Sequence, residues 1–332
     1  MTDPGATFDQ LLAPCPRATF LADYLDKKPL HLPGRPDKFA QVLSWPALNR
    51  MLSMDGWTGT SLELFHNGTK VPAGAYCRSV VNRNRMRVMR PDATKVMAMV
   101  RQGASLRLNE VETLAPEIMA LTQAIAQAIG AKTSANVYCS WQANPALASH
   151  CDHHDAYVLH VYGEKAWNIY QGRADNPIEH EIFHGLSQAD YDRMKGPVQH
   201  RLTLRPGDLL YLPRGQFHDA LASSAATLHV TISCSEPVGL DWLTRLWEHA
   251  VRDSLFRANL PRGQGPEAEA ALRQHLERLC QRFQEIALGE RGTAVARNLR
   301  GRFRLEHEHF ALGPETGGAA APPEAKTETE SR

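Results

Sequence analysis

The chain has 332 residues, enough for one large core with additions and too few for several independent enzymes. With 43% apolar and 22% charged residues it has an ordinary globular composition, which excludes wholesale disorder and a membrane protein. A formal net charge of +1 removes any bulk attraction for polyanions, so no nucleic-acid partner is expected beyond a regional contact through a local basic patch.

The six cysteines, at 15, 77, 139, 151, 234 and 280, form no Cys-x-x-Cys pair. They predict reduced thiols in a cytoplasmic protein and neither a zinc knuckle nor a disulfide framework. The opening Met-Thr-Asp-Pro-Gly has no basic stretch followed by an apolar one, and no run of about 18 apolar residues occurs, so neither export nor a membrane span is expected.

In chain order, Phe20 to Leu25 predicts a short amphipathic helix that yields at Pro29 to an extended segment, and a second helix begins near Trp45. Between Ser61 and Leu108 the pattern is mixed. There Arg83, Arg85 and Arg87 alternate as strand side chains do, which predicts three positive charges on one sheet face. That face is either the solvated side of an edge strand or a surface for an anionic or peptide substrate. From Pro116 to Gly130, Ile118, Leu121, Ile125 and Ile129 recur at helical spacing, with proline at the start and glycine at the end.

Short β-prone runs follow at Asn136 to Trp141, Ala156 to Val161, Ala166 to Tyr170, Leu209 to Leu212 and Thr227 to Cys234. Strands separated by turn residues predict a sandwich or barrel, not alternating β/α units. After Pro237 two apolar stripes return at helical spacing, Leu243, Leu246, Trp247, Ala250, Val251 and then Leu272, Leu276, Leu279, Phe283, Ile286. They suit either packing within the monomer or a homodimer through these C-terminal helices. Residues 313–332 hold almost no large apolar side chains and are expected to be a disordered tail.

The densest cluster of ligand-type side chains is Ser149-His150-Cys151-Asp152-His153-His154-Asp155, just after Asn144 and Pro145. A His-x-Asp pair on extended backbone points both side chains to one side, so His150 and Asp152 can share a metal edge, while Cys151 faces away and packs. The run Arg205 to His218 adds a Pro-Gly-Asp turn, an apolar strand, and a second Pro/Gly turn that delivers His218. Two histidines and one carboxylate with other positions open describe the facial triad of non-haem iron oxygenases. Histidines without a metal are the plain alternative.

The stretch from His150 to Tyr170, with its His-x-Asp, following strand and Gly163-Glu164-Lys165-Ala166-Trp167 turn, resembles the core of the JmjC-type ribosomal oxygenases. The likeness extends to Asp208 through His218, to His229-Val230-Thr231-Ile232-Ser233, and back to Phe20 through Leu32, covering roughly residues 18 to 260. The resemblance implies a mainly β fold with helical extensions, its core a double-stranded β-helix of the cupin or jelly-roll type. It implies an N-terminal segment at 1–105 that contributes to the core, the JmjC/cupin unit at 106–236, a C-terminal helical region at 237–312 and the tail at 313–332.

It also implies metal ligands His150, Asp152 and His218, with Lys165 binding the distal carboxylate of 2-oxoglutarate and Asn136, Tyr138 and Ser233 in the same pocket. A dicarboxylate chelating Fe(II) at its keto-acid end needs a fixed cation and neutral donors at the other. For Lys165 the plain alternative is a solvated turn lysine, and for Asn136 and Tyr138 ordinary strand packing. His154 either lines the substrate pocket or sits in a turn, and His229 has a family counterpart but is by default a core histidine.

The implied activity uses Fe(II), 2-oxoglutarate and dioxygen to hydroxylate a histidine- or arginine-type side chain of a protein or peptide. Past about residue 260 the chain departs from the family. One helix and the stretch Arg297-Asn298-Leu299-Arg300-Gly301-Arg302-Phe303-Arg304 replace a winged-helix region, which brings in a small-molecule 2-oxoglutarate hydroxylase as an alternative. A zinc hydrolase on the same ligands would need a general base and has no use for Lys165. A non-catalytic cupin that binds a ligand or partner is the reading from another class.

Overall fold

The computed structural model describes residues 4–54, 56–141, 148–184 and 186–301. Helices α1 (Pro4–Leu12) and α2 (Arg17–Asp23) lead to strand β1 (Leu30–Leu32) and helix α3 (Trp45–Leu52). Strands β2 (Leu62–His66) and β3 (Thr69–Lys70), helix α4 (Ala73–Tyr76), strands β4 (Cys77–Val81) and β5 (Arg87–Pro91), helix α5 (Ala93–Arg101) and strand β6 (Ser105–Leu108) follow. After helix α6 (Pro116–Ile129) come β7 (Lys132–Trp141), β8 (Asp155–Tyr162) and β9 (Lys165–Arg173), then short helices α7 (Glu181–His184) and α8 (Gln188–Met194). The barrel strands end with β10 (Val198–Leu204), β11 (Leu209–Leu212), β12 (Gln216–Ala222) and β13 (Ala226–Ser235), before helices α9 (Gly239–Ala250), α10 (Pro266–Leu288) and α11 (Glu290–Gly301).

Two antiparallel sheets carry the architecture. The larger has eight strands in the order β1-β11-β8-β13-β7-β6-β2-β3, and the smaller is β10-β9-β12. Burial of both faces explains why β11 is apolar throughout and β8 is apolar from Ala156 to Leu159. Tyr157 and Leu159 on β8, with Leu209 and Tyr211 on β11, face a core shared with Phe8, Leu12 and Phe20 of the N-terminal helices. Ala156, Val158, Leu210 and Leu212 point the opposite way and meet Trp167, Ile169 and Leu204 of the smaller sheet. Each sheet face therefore buries apolar area, which at about 25 cal/mol per Å² is what offsets the entropy of ordering the chain.

Local chemistry sets the element ends. Helix α6 starts with Pro116 in its first turn and stops at Gly130, left-handed at φ 77°, whose N–H donates to Ala126 O. Helix α3 is capped by Ser44, which accepts from Ala47 N–H. The chain crosses from β8 in the larger sheet to β9 in the smaller one at Gly163, φ 74°, where a Cβ would stand 2.0 Å from Ala226 O, so only glycine lets β9 begin at Lys165.

The expected strands are present, most of them longer than the sequence predicts, and β11 has the expected bounds. Both strands of the smaller sheet that flank β9 escape the sequence reading, as do α7 and α8. The arginine alternation is corrected. Arg83 and Arg85 lie in the turn of the β4–β5 hairpin, where Asn82 Oδ1 accepts from Asn84 and Met86 N–H and Arg85 has φ 59°; of the three, Arg87 alone begins a strand. Beyond residue 260 there are two helices where one was expected, and Arg297 to Gly301 lie within α11. The remaining part of the arginine stretch, the tail at 313–332, Asn144 and Pro145 lie outside the described residues.

Candidate active site

His150 and His218 sit opposite each other as an isolated antiparallel bridge, His150 N–H donating to His218 O at 3.0 Å and His218 N–H to His150 O at 2.8 Å. Asp152 is held by its own carbonyl, which accepts from Gly215 N–H at 2.8 Å. The backbone thus fixes all three residues before any ligand binds. One donor atom from each of His150, Asp152 and His218 lies within 4.8 Å of the others.

The hydrogen bonds settle the tautomers. His150 Nδ1 is 2.8 Å from Ala148 O and His218 Nδ1 is 2.9 Å from Gln216 O. A carbonyl only accepts, so each Nδ1 carries a proton, and in the neutral ring it is Nε2 that presents a lone pair. Those lone pairs face the Asp152 carboxylate at 4.0 and 3.7 Å. Three acceptors turned toward one point, with no proton between them, fit a divalent cation.

The electrostatics agree. Burial holds His218 neutral, its pKa pushed down to about 4. Burial alone would raise the Asp152 carboxyl, but the fields of His154, His150 and His218 overturn it and hold the group well below the usual carboxylate range. Neutral imidazole and ionised carboxylate are the forms that bind a metal.

The triad opens into a cavity of about 400 Å³ between the two sheets, within the size range of small-molecule sites. Lys165, Asn136, Tyr138 and Ser233 line the same cavity. Lys165 is only 3% exposed, so it is no solvated turn residue, and among the described residues no carboxylate pairs with it. Burial pushes its pKa down to about 8. A desolvated ammonium without an anion fits an anionic ligand. Asn136 Oδ1 accepts from Glu110 N–H at 3.3 Å, and Ser233 Oγ donates to Ser134 O at 3.1 Å. Tyr138 is pushed up by burial against the opposing pull of Arg107.

His229 is both core and wall. It is 2% exposed, lies parallel to the Tyr138 ring at 4.9 Å and lines the cavity. His154 also lines it, with Nδ1 3.1 Å from Asp155 O, and residues 151–152 are irregular and 153–154 a bend, not strand. Cys151 packs against Tyr170 and Phe217 at the cavity edge.

Sequence reasoning missed Arg107, Trp167, Tyr191 and Thr231, which complete the wall. Arg107 stands opposite Tyr138 in the β6–β7 register, and its Nε donates at 2.9 Å to Glu63, which is 3% exposed. Trp167 stacks on the His218 ring at 5.7 Å. Thr231 has a signal in hindsight, since 229, 231 and 233 alternate on β13.

The fold is a cupin-type jelly roll with helical extensions, and residues 109–241 match the JmjC domain family. In sequence the chain resembles the bifunctional lysine-specific demethylase and histidyl-hydroxylase NO66 of Drosophila persimilis, 27% identical over 236 residues, covering 68% of this chain and 31% of that protein. It resembles ribosomal oxygenase 2 of Bos taurus, 26% identical over 272 residues, covering 78% and 55%. The chain thus spans about a third to a half of the length of these curated relatives. The crystal structure of Escherichia coli YcfD shares the fold, with a TM-score of 0.53 at 15% identity, covering 90% of this chain and 74% of that one. Among the described residues, no helix is long and apolar enough to cross a membrane.

Proposed function

We propose that this chain is an Fe(II)- and 2-oxoglutarate-dependent oxygenase that hydroxylates a histidine- or arginine-type side chain of a protein or peptide. One observation carries the reading: three acceptors converge on a cation position, and a buried lysine with no carboxylate partner among the described residues faces the same cavity. The relatives named ribosomal oxygenase and histidyl-hydroxylase support a protein substrate.

His150, Asp152 and His218 would hold Fe(II). When bound, it supplies the activation of dioxygen that couples decarboxylation of 2-oxoglutarate to hydroxylation of a C–H bond. Lys165 binds the distal carboxylate as its counter-charge, while Asn136, Tyr138 and Ser233 offer neutral polar atoms around it. Lys165 and Ile169, the residue paired with His218, are four positions apart on β9, or about 13 Å of strand. A lysine side chain and a short dicarboxylate together fill that span. Trp167, Val158 and Leu212 supply apolar wall that keeps water from the reacting groups.

A zinc hydrolase would leave Lys165 buried without a partner. The test is incubation of the purified protein with Fe(II), 2-oxoglutarate and candidate peptides containing histidine or arginine. A gain of one oxygen on such a residue is expected, and turnover confined to free small molecules would overturn the protein-substrate reading.

The same reading keeps the division into an N-terminal segment to residue 105, the cupin unit to 236 and a helical region to 312. It also includes a homodimer through the C-terminal helices. Trp247 is 68% exposed, and Val251, Leu276 and Leu288 are exposed beside it in sequence and on the packed helix α10, an apolar surface of the kind that marks association. Six free thiols support a reducing cytoplasmic setting.

A further inference from the structure

A second cavity, of about 480 Å³, lies beside the metal pocket and shares His153 with it. Five carboxylates line it, Asp26, Asp155, Glu179, Glu236 and Asp241, against one arginine, Arg214. Asp26 is paired with Arg173 and Glu179 with His153, whereas Asp155 accepts from Tyr211 and a backbone N–H and Asp241 from Val238 N–H, so the cavity keeps an excess of carboxylates over cations. Glu236 is exposed at the rim.

Ile178, Arg214, Pro237, Val238 and Leu240 belong equally to a third, apolar groove of about 830 Å³ at the start of α9, completed by Phe183, Trp242 and Leu243. Leu240 is 53% and Leu243 41% exposed there, although both are large apolar side chains. Metal pocket, acidic cavity and apolar groove therefore lie side by side as one track, with His153 as the wall common to the first two and the Pro237–Leu240 turn common to the last two.

We propose that this track is the docking groove of the substrate peptide, an inference that rests on the oxygenase reading above. The modified residue occupies the metal pocket. The flanking chain passes His153, places a lysine or arginine in the acidic cavity and lays an apolar side chain over Leu240 and Leu243. Charge complementarity chooses a cationic residue, since a carboxylate there would meet several like charges. The apolar groove chooses the next anchor, because its exposed leucines gain only when covered. An extended peptide advances about 3.3 Å per residue, so a few residues suffice to reach from one site to the next.

The test uses the full chain loaded with Mn(II) and 2-oxoglutarate and fluorescent peptides with a central histidine or arginine. One flank carries lysine then leucine, glutamate then leucine, or lysine then serine, in both chain directions. Anisotropy is expected to give the lysine–leucine peptide about tenfold tighter binding than either other, and Glu236→Lys to erase the preference for lysine over glutamate. Equal affinity for all peptides, or a lysine preference unmoved by Glu236→Lys, overturns the groove. Binding of 2-oxoglutarate is read in the same samples. If it is absent while the peptide preference persists, the groove stands and the oxygenase reading falls; if both are absent, both fall.

Discussion

Replacing Lys165 with methionine separates a ligand-binding lysine from a structural one, because the two roles predict opposite signs. The side chain is 3% exposed, pairs with no carboxylate among the described residues, and has its pKa pushed by burial from 10.5 to about 8. At 1.36 kcal/mol per unit, that depression corresponds to about 3 kcal/mol by which the charged form destabilises the metal-free fold at neutral pH. Methionine fills similar volume without the charge, so Lys165→Met is expected to raise the unfolding free energy of the metal-free protein by up to about 3 kcal/mol in urea titration. Binding moves the other way. Loss of a buried charge-assisted contact to the distal carboxylate costs about 2 kcal/mol or more, which weakens 2-oxoglutarate at least about 30-fold by calorimetry. Metal content is expected to stay unchanged, since Lys165 touches no triad residue. A variant that is less stable, yet binds 2-oxoglutarate as before, would refute the assignment.

The same lysine sets a pH dependence: in the ligand-free protein it loses its proton above about pH 8, so 2-oxoglutarate affinity is expected to hold below that value and to fall about tenfold per unit above it. Between pH 8 and 10.5 the unfolded chain keeps the proton that the folded one has released, so metal-free stability is expected to rise with pH in that window; a flat affinity profile from pH 7 to 10 counts against the role. Asp152→Asn is expected to reduce bound metal to background by mass spectrometry of the metal while leaving the far-UV circular dichroism unchanged, and retained metal would contradict the triad. Glu63→Gln removes the buried partner of Arg107 and is expected to cost about 1–3 kcal/mol in urea titration and to weaken 2-oxoglutarate through displacement of Tyr138; an unchanged midpoint would show that the pair does not brace the wall. Trp247→Glu is expected to shift a dimer to monomer on sizing, and an unchanged elution volume would place the interface elsewhere.

The triad was legible because its logic is local. A two-residue spacing puts His150 and Asp152 on one side, and paired turns before β12 deliver His218. Lys165 was legible for a similar reason, following a glycine turn that the crossing between the sheets requires. Arg107 was not, since its place in the wall depends on β6 lying beside β7 and on a carboxylate 44 residues earlier in the chain. Strand β10, Val-Gln-His-Arg-Leu-Thr-Leu, is a mostly exposed edge with little apolar pattern to find. The arginines at 83 and 85 misled because alternation was weighed above the interleaved Asn82 and Asn84, whose side chains favour turns. The C-terminal helices bury little within the monomer, so their stripes gave the right elements without saying what covers them.

The most direct measurement of the central claim is succinate formed by the purified chain given Fe(II), ascorbate, dioxygen and 2-oxoglutarate, beside Asp152→Asn and Lys165→Met. Succinate from the wild type that requires both iron and dioxygen, is abolished in Asp152→Asn, and returns in Lys165→Met only at much higher 2-oxoglutarate is the predicted result. No succinate under any of these conditions, with zinc tightly bound in the wild type, would contradict it.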